Sequence, residues 1–400
     1  MSMDIITGLG VSVLADPFSA GEEAASKAFG QLKGNKPDIL IVFSAPSLAS
    51  QKLLDGIKFV SKSTPMVGGT TAGEISTYGL SVHSVVVMAI KSKGIKFHAG
   101  IGKNVSSNEA KAGSELAKDI LKKASRKDAK TLIMLPDGLA GDGLEIIAGA
   151  KKILGENFEI VGGALGDEAD FKNTYQYYNG KVYQNTVIGL LLCGNIKSSS
   201  GVRHGWESIG TRFKCTKAKG NVVYEFDNKK ALDVYSDCLG KQRAKKLPAI
   251  GLEYPMGLID ERAKIEGYDY FYIRCPVGIN EKDGSVTFAA SIPEGKEVTL
   301  TYSSRTSIIN GSKLAAMQAK KTLGGMKPKL IFMFSCVARK MVLGKRTNDE
   351  INAVKKILGK DTPIIGFYTY GEIGPIDKRV PTLSGTRWHN ETVVLWVLGE

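Results

Sequence analysis

The chain has 400 residues, 43% hydrophobic and 24% charged, the proportions of an ordinary folded protein and not of a disordered or fibrous one. Its formal charge of +14 keeps a polyanionic partner in view, yet Lys and Arg are spread along the chain, and the densest groups (118–130, 241–246, 339–346) form no tail. Five widely spaced cysteines make no C-x-x-C pair, which argues against a disulfide framework or zinc ribbon and for a reducing cytoplasm. The N-terminus, MSMDIITGLG, lacks the basic and apolar regions of a signal peptide. The longest apolar run, 187–193, falls short of the roughly 20 residues that span a bilayer. The expectation is a soluble cytoplasmic protein without membrane insertion.

A strand over 5–13 and a helix over 17–32 open the chain, with Asp16 or Ser19 as N-cap and Gly34 as stop. Gly8-x-Gly10 lacks the third glycine of a dinucleotide loop, since Val13 stands there, and no cofactor is expected. From residue 39 a unit appears three times. It begins with a continuously apolar strand (39–44, 131–136, 330–335), as suits strands covered on both faces. A helix follows (50–60, 144–154, 349–358), the third opened by a capping box, Thr347-x-x-Glu350. Next comes a strand broken by glycine (66–69, 160–163, 364–367), then a second apolar strand (84–90, 185–192, 391–398).

Between the second and third units, 202–226 alternates as antiparallel strands do, with a hairpin turn at 218–221. A helix over 229–239 is closed by Gly240, and strands follow at 268–275, 285–291 and 297–303, with Asp283-Gly284 as a turn. An amphipathic helix over 307–323 leads into the third unit. The pattern predicts an α/β (mixed α+β) fold of repeated strand–helix–strand–loop–strand units in mixed sheets. It predicts two packed modules: 1–226 with two units, and 227–400 with the third unit and the antiparallel strands.

The repeat is clearest where TPMVGGTTAGEI at 64–75 matches TPIIGFYTYGEI at 362–373, sharing Thr, Pro, Gly, Thr, Gly, Glu and Ile in register. Glu74 and Glu372 each lie six residues after a glycine, and the same offset from Gly162 selects Glu168 in the middle unit. A carboxylate between glycines can approach a ligand closely, so Glu372 is a candidate contact, with Gly366 and Gly371 beside it. Tyr368 and Tyr370 offer aromatic walls, while strand alternation sends Phe367 and Tyr368 opposite ways. Cys336 follows a buried strand, where open α/β sheets bind ligands, and Arg339 three residues on can hold a carboxylate. Asn390 and His389 precede the last strand. Thr70, Thr71, Glu74 and Arg305 are secondary candidates. The four histidines show no ligand spacing, and no metal is expected.

Further segments carry a resemblance: HGWESIG at 204–210, ALDVYSDCLG at 231–240, IPEG at 292–295, FSCVAR at 334–339, GFYTYGEIGP at 366–375 and HNETVVL at 389–395. With IVFS at 41–44 and VGGTTAGE at 67–74, they resemble a stand-alone FIST protein with N-terminal and C-terminal FIST modules in order. The resemblance implies an intracellular sensory domain that binds a small ligand, amino acids being the suggested class, with no output domain in this chain. The expected function is recognition of an amino acid or related zwitterion and signalling through a partner protein, without catalysis. Glu372 would take the ammonium group, Arg339 or glycine N–H groups the carboxylate, and the tyrosines the side chain. The alternatives are a thiol enzyme using Cys336, with His389 and Asn390, and a polyanion or nucleic-acid binder that rests on charge alone.

Overall fold

Three six-stranded sheets share one plan in a computed structural model that describes residues 4–265 and 268–400. Each repeat unit is longer at its start than the sequence reading has it. The first begins with strand Ile6–Ser12 and helix Pro17–Gly30, and the second with strand Ile95–Lys103 and helix Glu109–Leu121. The third begins with strand Ser198–Arg203 and helix Arg305–Thr322. The antiparallel insert, residues 204–304, therefore lies inside the third unit and not before it.

The helices form for local reasons. Asp16 caps Pro17–Gly30 by accepting from Ser19 N at 2.9 Å, and Asn108 caps Glu109–Leu121 by accepting from Lys111 N at 2.8 Å. Ala20, Ala24 and Ala28 make a small-residue face against the first strand. There a Cβ on Gly8 would lie 1.9 Å from Ala28 O, so Gly8-x-Gly10 serves helix packing. The capping box is not formed: helix Thr347–Leu358 has Arg346 at its N-cap position, and Glu350 turns inward. Its carboxylate is worth more against a buried arginine than against an exposed backbone N–H.

Within each unit the second and third strands run parallel, Ile39–Ser44 with Met66–Thr70, Ala129–Pro136 with Glu159–Gly163, and Pro328–Cys336 with Ile364–Thr369. The last strand returns antiparallel beside the second: Val85–Lys91, Thr186–Gly194 and Val393–Gly399. The third strand would be an open edge. A hairpin from another unit covers it each time. Glu74–Ser76 pairs with the third unit, Gln176–Tyr178 with the first, and Glu372–Pro375 with the second. The exchange closes into a ring, so the line at residue 226 separates stretches of chain but not sheets.

Paired backbone hydrogen bonds lock the ring where the units meet. Ala72 N donates to Tyr368 O at 3.0 Å, Tyr370 N to Ala164 O at 3.1 Å, and Gly166 N to Thr70 O at 3.1 Å. Three return bonds run from Tyr368 N to Gly73 O, Ala164 N to Gly371 O, and Thr70 N to Tyr175 O. The inner faces of all three sheets share one core that includes Phe43, Ile133, Val161, Phe334, Phe367 and Trp396. The outer faces pack under their own helices in three separate clusters.

The insert is an eight-stranded antiparallel sheet with helix Ala231–Leu239 across it. Its 218–221 turn forms as expected, with Gly220 at φ +62. Asp283-Gly284 instead joins Ser285–Phe288 to Pro276–Asn280, a strand with no apolar alternation to announce it. Strand Met256–Ile265, paired with Tyr268–Arg274, was likewise not legible.

Candidate functional site

Register assigns the repeated carboxylate. Glu74 lies opposite Phe367, Glu372 opposite Gly163, and Gln176 opposite Gly69. Gln176, not Glu168, is therefore the middle unit's counterpart; the loop there is longer, so a fixed offset of six lands short. Glu168 instead pairs with His83 at 3.0 Å near the surface. Each of the three equivalent side chains is clamped by a hydroxyl at the start of its unit's last strand. Ser84 Oγ donates to Glu74 at 2.5 Å, Thr186 Oγ1 to Gln176 at 3.0 Å, and Thr392 Oγ1 to Glu372 at 2.9 Å. Thr71 Oγ1 adds a second bond to Glu74 at 2.6 Å, and Thr70 Oγ1 accepts from Tyr175 N at 2.9 Å.

The predicted site residues do not converge on one cavity. Phe367 enters the central core, 4.6 Å from Phe43 between ring centroids. Tyr368 goes to the helix side and donates to Glu350 Oε1 at 2.7 Å. Tyr370 bonds Asp167 and stacks on Phe171 at 4.6 Å, in the loop of the middle unit. Arg339 is fully buried and ion-paired to Glu350 at 2.7 Å; it also donates to Ser335, Ser312, His204 O and Ile308 O. Its donors are taken up inside the protein. Arg305 is exposed and bonds Val342 O at 3.0 Å. Gly366 and Gly371 serve packing: a Cβ would meet Met333 O at 1.7 Å and the Trp388 ring at 2.0 Å.

Cys336, Glu372 and Asn390 do share a neighbourhood, the seam between the third unit and the insert. The Cys336 thiol hydrogen-bonds Glu372, whose other partners are Thr369 Oγ1 and, at 3.0 Å, Thr392 N. Burial pushes Glu372 up to about 7 against these stabilising bonds. Burial, then the negative charges of Glu372 and Glu391, push the Cys336 thiol well above its usual value. His389 is held neutral by burial, down to about 4, with Nε2 2.9 Å from Gly374 O.

The residue missed in the sequence is Glu391. It is 1% exposed, and neither carboxylate oxygen is bonded by a nitrogen or hydroxyl donor, only the Cys275 thiol approaching it as a donor among the described residues; Asn390 Oδ1 and the buried Tyr235 hydroxyl have no partner. Buried polar groups are nearly always paired, so four such atoms in one seam mark an unusual place. The Cys275 thiol lies beside Glu391, and Tyr235, Cys275 and Cys336 are within electrostatic reach of one another or of Glu391. Burial, followed by repulsion from Glu372, lifts Glu391 well above the usual carboxylate range. Glu391 has φ +57, as the equivalent His83 (+50) and Asn185 (+54) have left-handed turns. The turn belongs to the repeat; the carboxylate belongs to the third unit alone. Aligning the residues before Ser84, Thr186 and Thr392 exposes it, whereas nothing local marks Tyr235 or Cys275.

The remaining charge has a plainer account. A cleft of about 640 Å³ is lined by Lys320, Lys327, Lys329, Lys356 and Lys360. Helices Arg305–Thr322 and Thr347–Leu358 end near it, so these lysines complement carbonyl ends, and Lys329 pairs with Glu400 at 3.2 Å. Among the described residues no group of three or more His, Cys, Asp and Glu is placed to hold a metal, and no helix is long and apolar enough to cross a membrane.

The FIST N domain matches residues 38–229 and the FIST C domain residues 231–375. The chain belongs to the FIST family. FIST domains are generally sensory ligand-binding domains of signalling proteins. An uncharacterized protein of Methanocaldococcus jannaschii is 27% identical over 240 residues, 53% of this chain and 44% of that one, so the chain spans less than half that relative's length. An uncharacterized protein of Mycobacterium tuberculosis (strain ATCC 25618 / H37Rv) is 22% identical over 375 residues, 92% of this chain and 94% of that one. Among solved structures, cyanuric acid hydrolase from A. caulinodans aligns over 99% of this FIST chain and 100% of its own, at 8% identity and TM-score 0.38. Neither fold nor activity is carried over from so distant a match.

Proposed function

We propose that this FIST protein binds a small polar metabolite, an amino acid or related amine-bearing molecule, in the seam between its third unit and the insert, and signals through a partner protein. The observation that supports this reading is the set of buried polar atoms on Glu391, Asn390 and Tyr235 that no nitrogen or hydroxyl group satisfies. Leaving such groups unpaired costs about 1–3 kcal/mol each, and a ligand that pairs them recovers that cost. Glu372 and Cys336 lie within electrostatic reach of Glu391. Arg339 and Tyr368 act at one remove, fixing the strand and helix from which Cys336 projects. Gly366, Gly371 and Tyr370 shape the ring of the three units, and Thr70, Thr71 and Glu74 do the same on the first unit's side. Because Glu391 is buried, ligand entry parts the insert from the third unit, and that displacement is a signal a partner can read.

The test is a thermal-shift panel of amino acids and small acids. Ligand at 100 times its dissociation constant stabilises by about 2.7 kcal/mol. The shift is expected to vanish in Glu391→Gln. A flat response across the panel, or an equal response in the variant, removes the assignment.

A further inference from the structure

We infer that the seam recognises the cationic, donor-rich end of its ligand, a primary ammonium or guanidinium group, and does not read a free carboxylate. This rests on the ligand-binding reading above and names what that site selects. Once its carboxyl is ionised, Glu391 offers two acceptor oxygens, Asn390 Oδ1 is a third acceptor, and the Tyr235 hydroxyl can both accept and donate. An ammonium brings three donors and a guanidinium five, all acceptor-seeking. A ligand carboxylate brings acceptors only, and Arg339, a cation within electrostatic reach of Glu391, is already ion-paired with Glu350 at 2.7 Å. A ligand carboxylate here would lie beside two carboxyl groups, Glu372 and Glu391, that burial already disfavours as anions, and a further negative charge without a counter-ion in a buried site is costly. The two other copies of the turn carry His83 and Asn185 at this position, so the acceptor pair is specific to the seam that the insert covers.

The electrostatics give the inference a second readout. Burial favours the neutral form of the Glu391 carboxyl, so a cation that pairs with its ionised form favours loss of the proton to solvent. Uptake is thus expected to be accompanied by net proton release.

The experiment is calorimetric titration of the full chain with agmatine and 1,5-diaminopentane, their amino-acid counterparts L-arginine and L-lysine, and glutarate. Each titration is run in two buffers of different ionisation enthalpy to count protons. At least one carboxylate-free cation is expected to bind within about threefold of its amino-acid counterpart, with glutarate silent. Glu391→Gln, which keeps the size and polarity of the side chain without an ionisable group, is expected to weaken binding at least about thirtyfold and to abolish proton release. Tyr235→Phe, which keeps the ring, is expected to weaken it more modestly. Amino acids that bind while both amines fail overturn this inference and, if Glu391→Gln abolishes that binding, leave the ligand-binding reading standing. Amine binding that is indifferent to Glu391→Gln overturns the seam as its seat. No heat from any of the four cations and amino acids overturns both.

Discussion

Glu350 accepts from Ser312, Ser335, Arg339 and Tyr368, so several buried donors depend on a single carboxylate. Glu350→Gln leaves the Arg339 guanidinium without its counter-charge, and a loss of about 3–5 kcal/mol is expected by urea denaturation. Glu74 and Glu372 act in the opposite sense. Burial lifts both from 4.5 to about 7, so between those values the folded state holds protons that the unfolded state has released. Stability therefore falls as pH rises through that window and levels off above it, with a ceiling of about 3 kcal/mol per carboxyl. Glu372→Gln, the residue type that Gln176 already supplies in the middle unit, is expected to flatten part of the fall. At pH 8 it is expected to be about 1–2 kcal/mol more stable than the parent, measured by urea denaturation at pH 5 and 8. Two thiols differ in access. Burial raises both thiols, Cys336 well above its usual value, but of the two Cys238 is exposed and Cys336 is buried. Iodoacetamide at pH 7.5 is expected to label Cys238 and to leave Cys336 unmodified over hours, as read by peptide mass mapping. Fast labelling of Cys336 would revive the thiol-enzyme alternative.

At the scale of elements, the repeat was legible because its strands are buried on both faces and so read as unbroken apolar runs: 39–44 and 364–367 needed no tertiary information. The first strand and helix of the second unit were not, and the helix over 307–323 was read without its place in the third unit, for different reasons. Strand Ile95–Lys103 alternates with Lys96, His98 and glycines, and Arg305–Thr322 is separated from its strand Ser198–Arg203 by the whole insert. Site residues were hardest where two elements distant in sequence supply them. Cys336, Glu372 and Asn390 could be picked from the third unit, but Tyr235 and Cys275 arrive from the insert. Arg339 looked like a ligand clamp because its partner Glu350 was assigned to a helix cap. The glycines argue the same point: Gly68, Gly162 and Gly366 would each put a Cβ 1.7–2.0 Å from a carbonyl oxygen of the neighbouring strand. Gly366→Ala is therefore expected to cost more than about 3 kcal/mol, and Gly385→Ala, whose nearest neighbour is 3.6 Å away, less than about 0.5 kcal/mol, both by thermal denaturation.

On the scale of the whole molecule, the exchanged hairpins make each sheet depend on two units. The family's two domain matches meet near residue 230, yet hairpin strand Glu74–Ser76 from the first half completes the third sheet, and Glu372–Pro375 from the second completes the middle one. Strand Ser198–Arg203, in the first half, pairs with Val393–Gly399 in the second. A fragment of residues 1–226 would expose the open edge of Glu159–Gly163, and one of 227–400 would lose both flanking partners of its sheet. Unpaired edges of this kind promote association in place of folding. Intact protein is expected to melt in one cooperative calorimetric transition that includes the three-unit core. Each fragment alone is expected to lack a cooperative transition or to aggregate, and mixing the two is expected to restore part of the native far-ultraviolet circular dichroism. Two fragments that each unfold cooperatively at the temperatures of the parent would show that the ring of hairpins contributes little, and would locate stability in the separate outer clusters under each pair of helices.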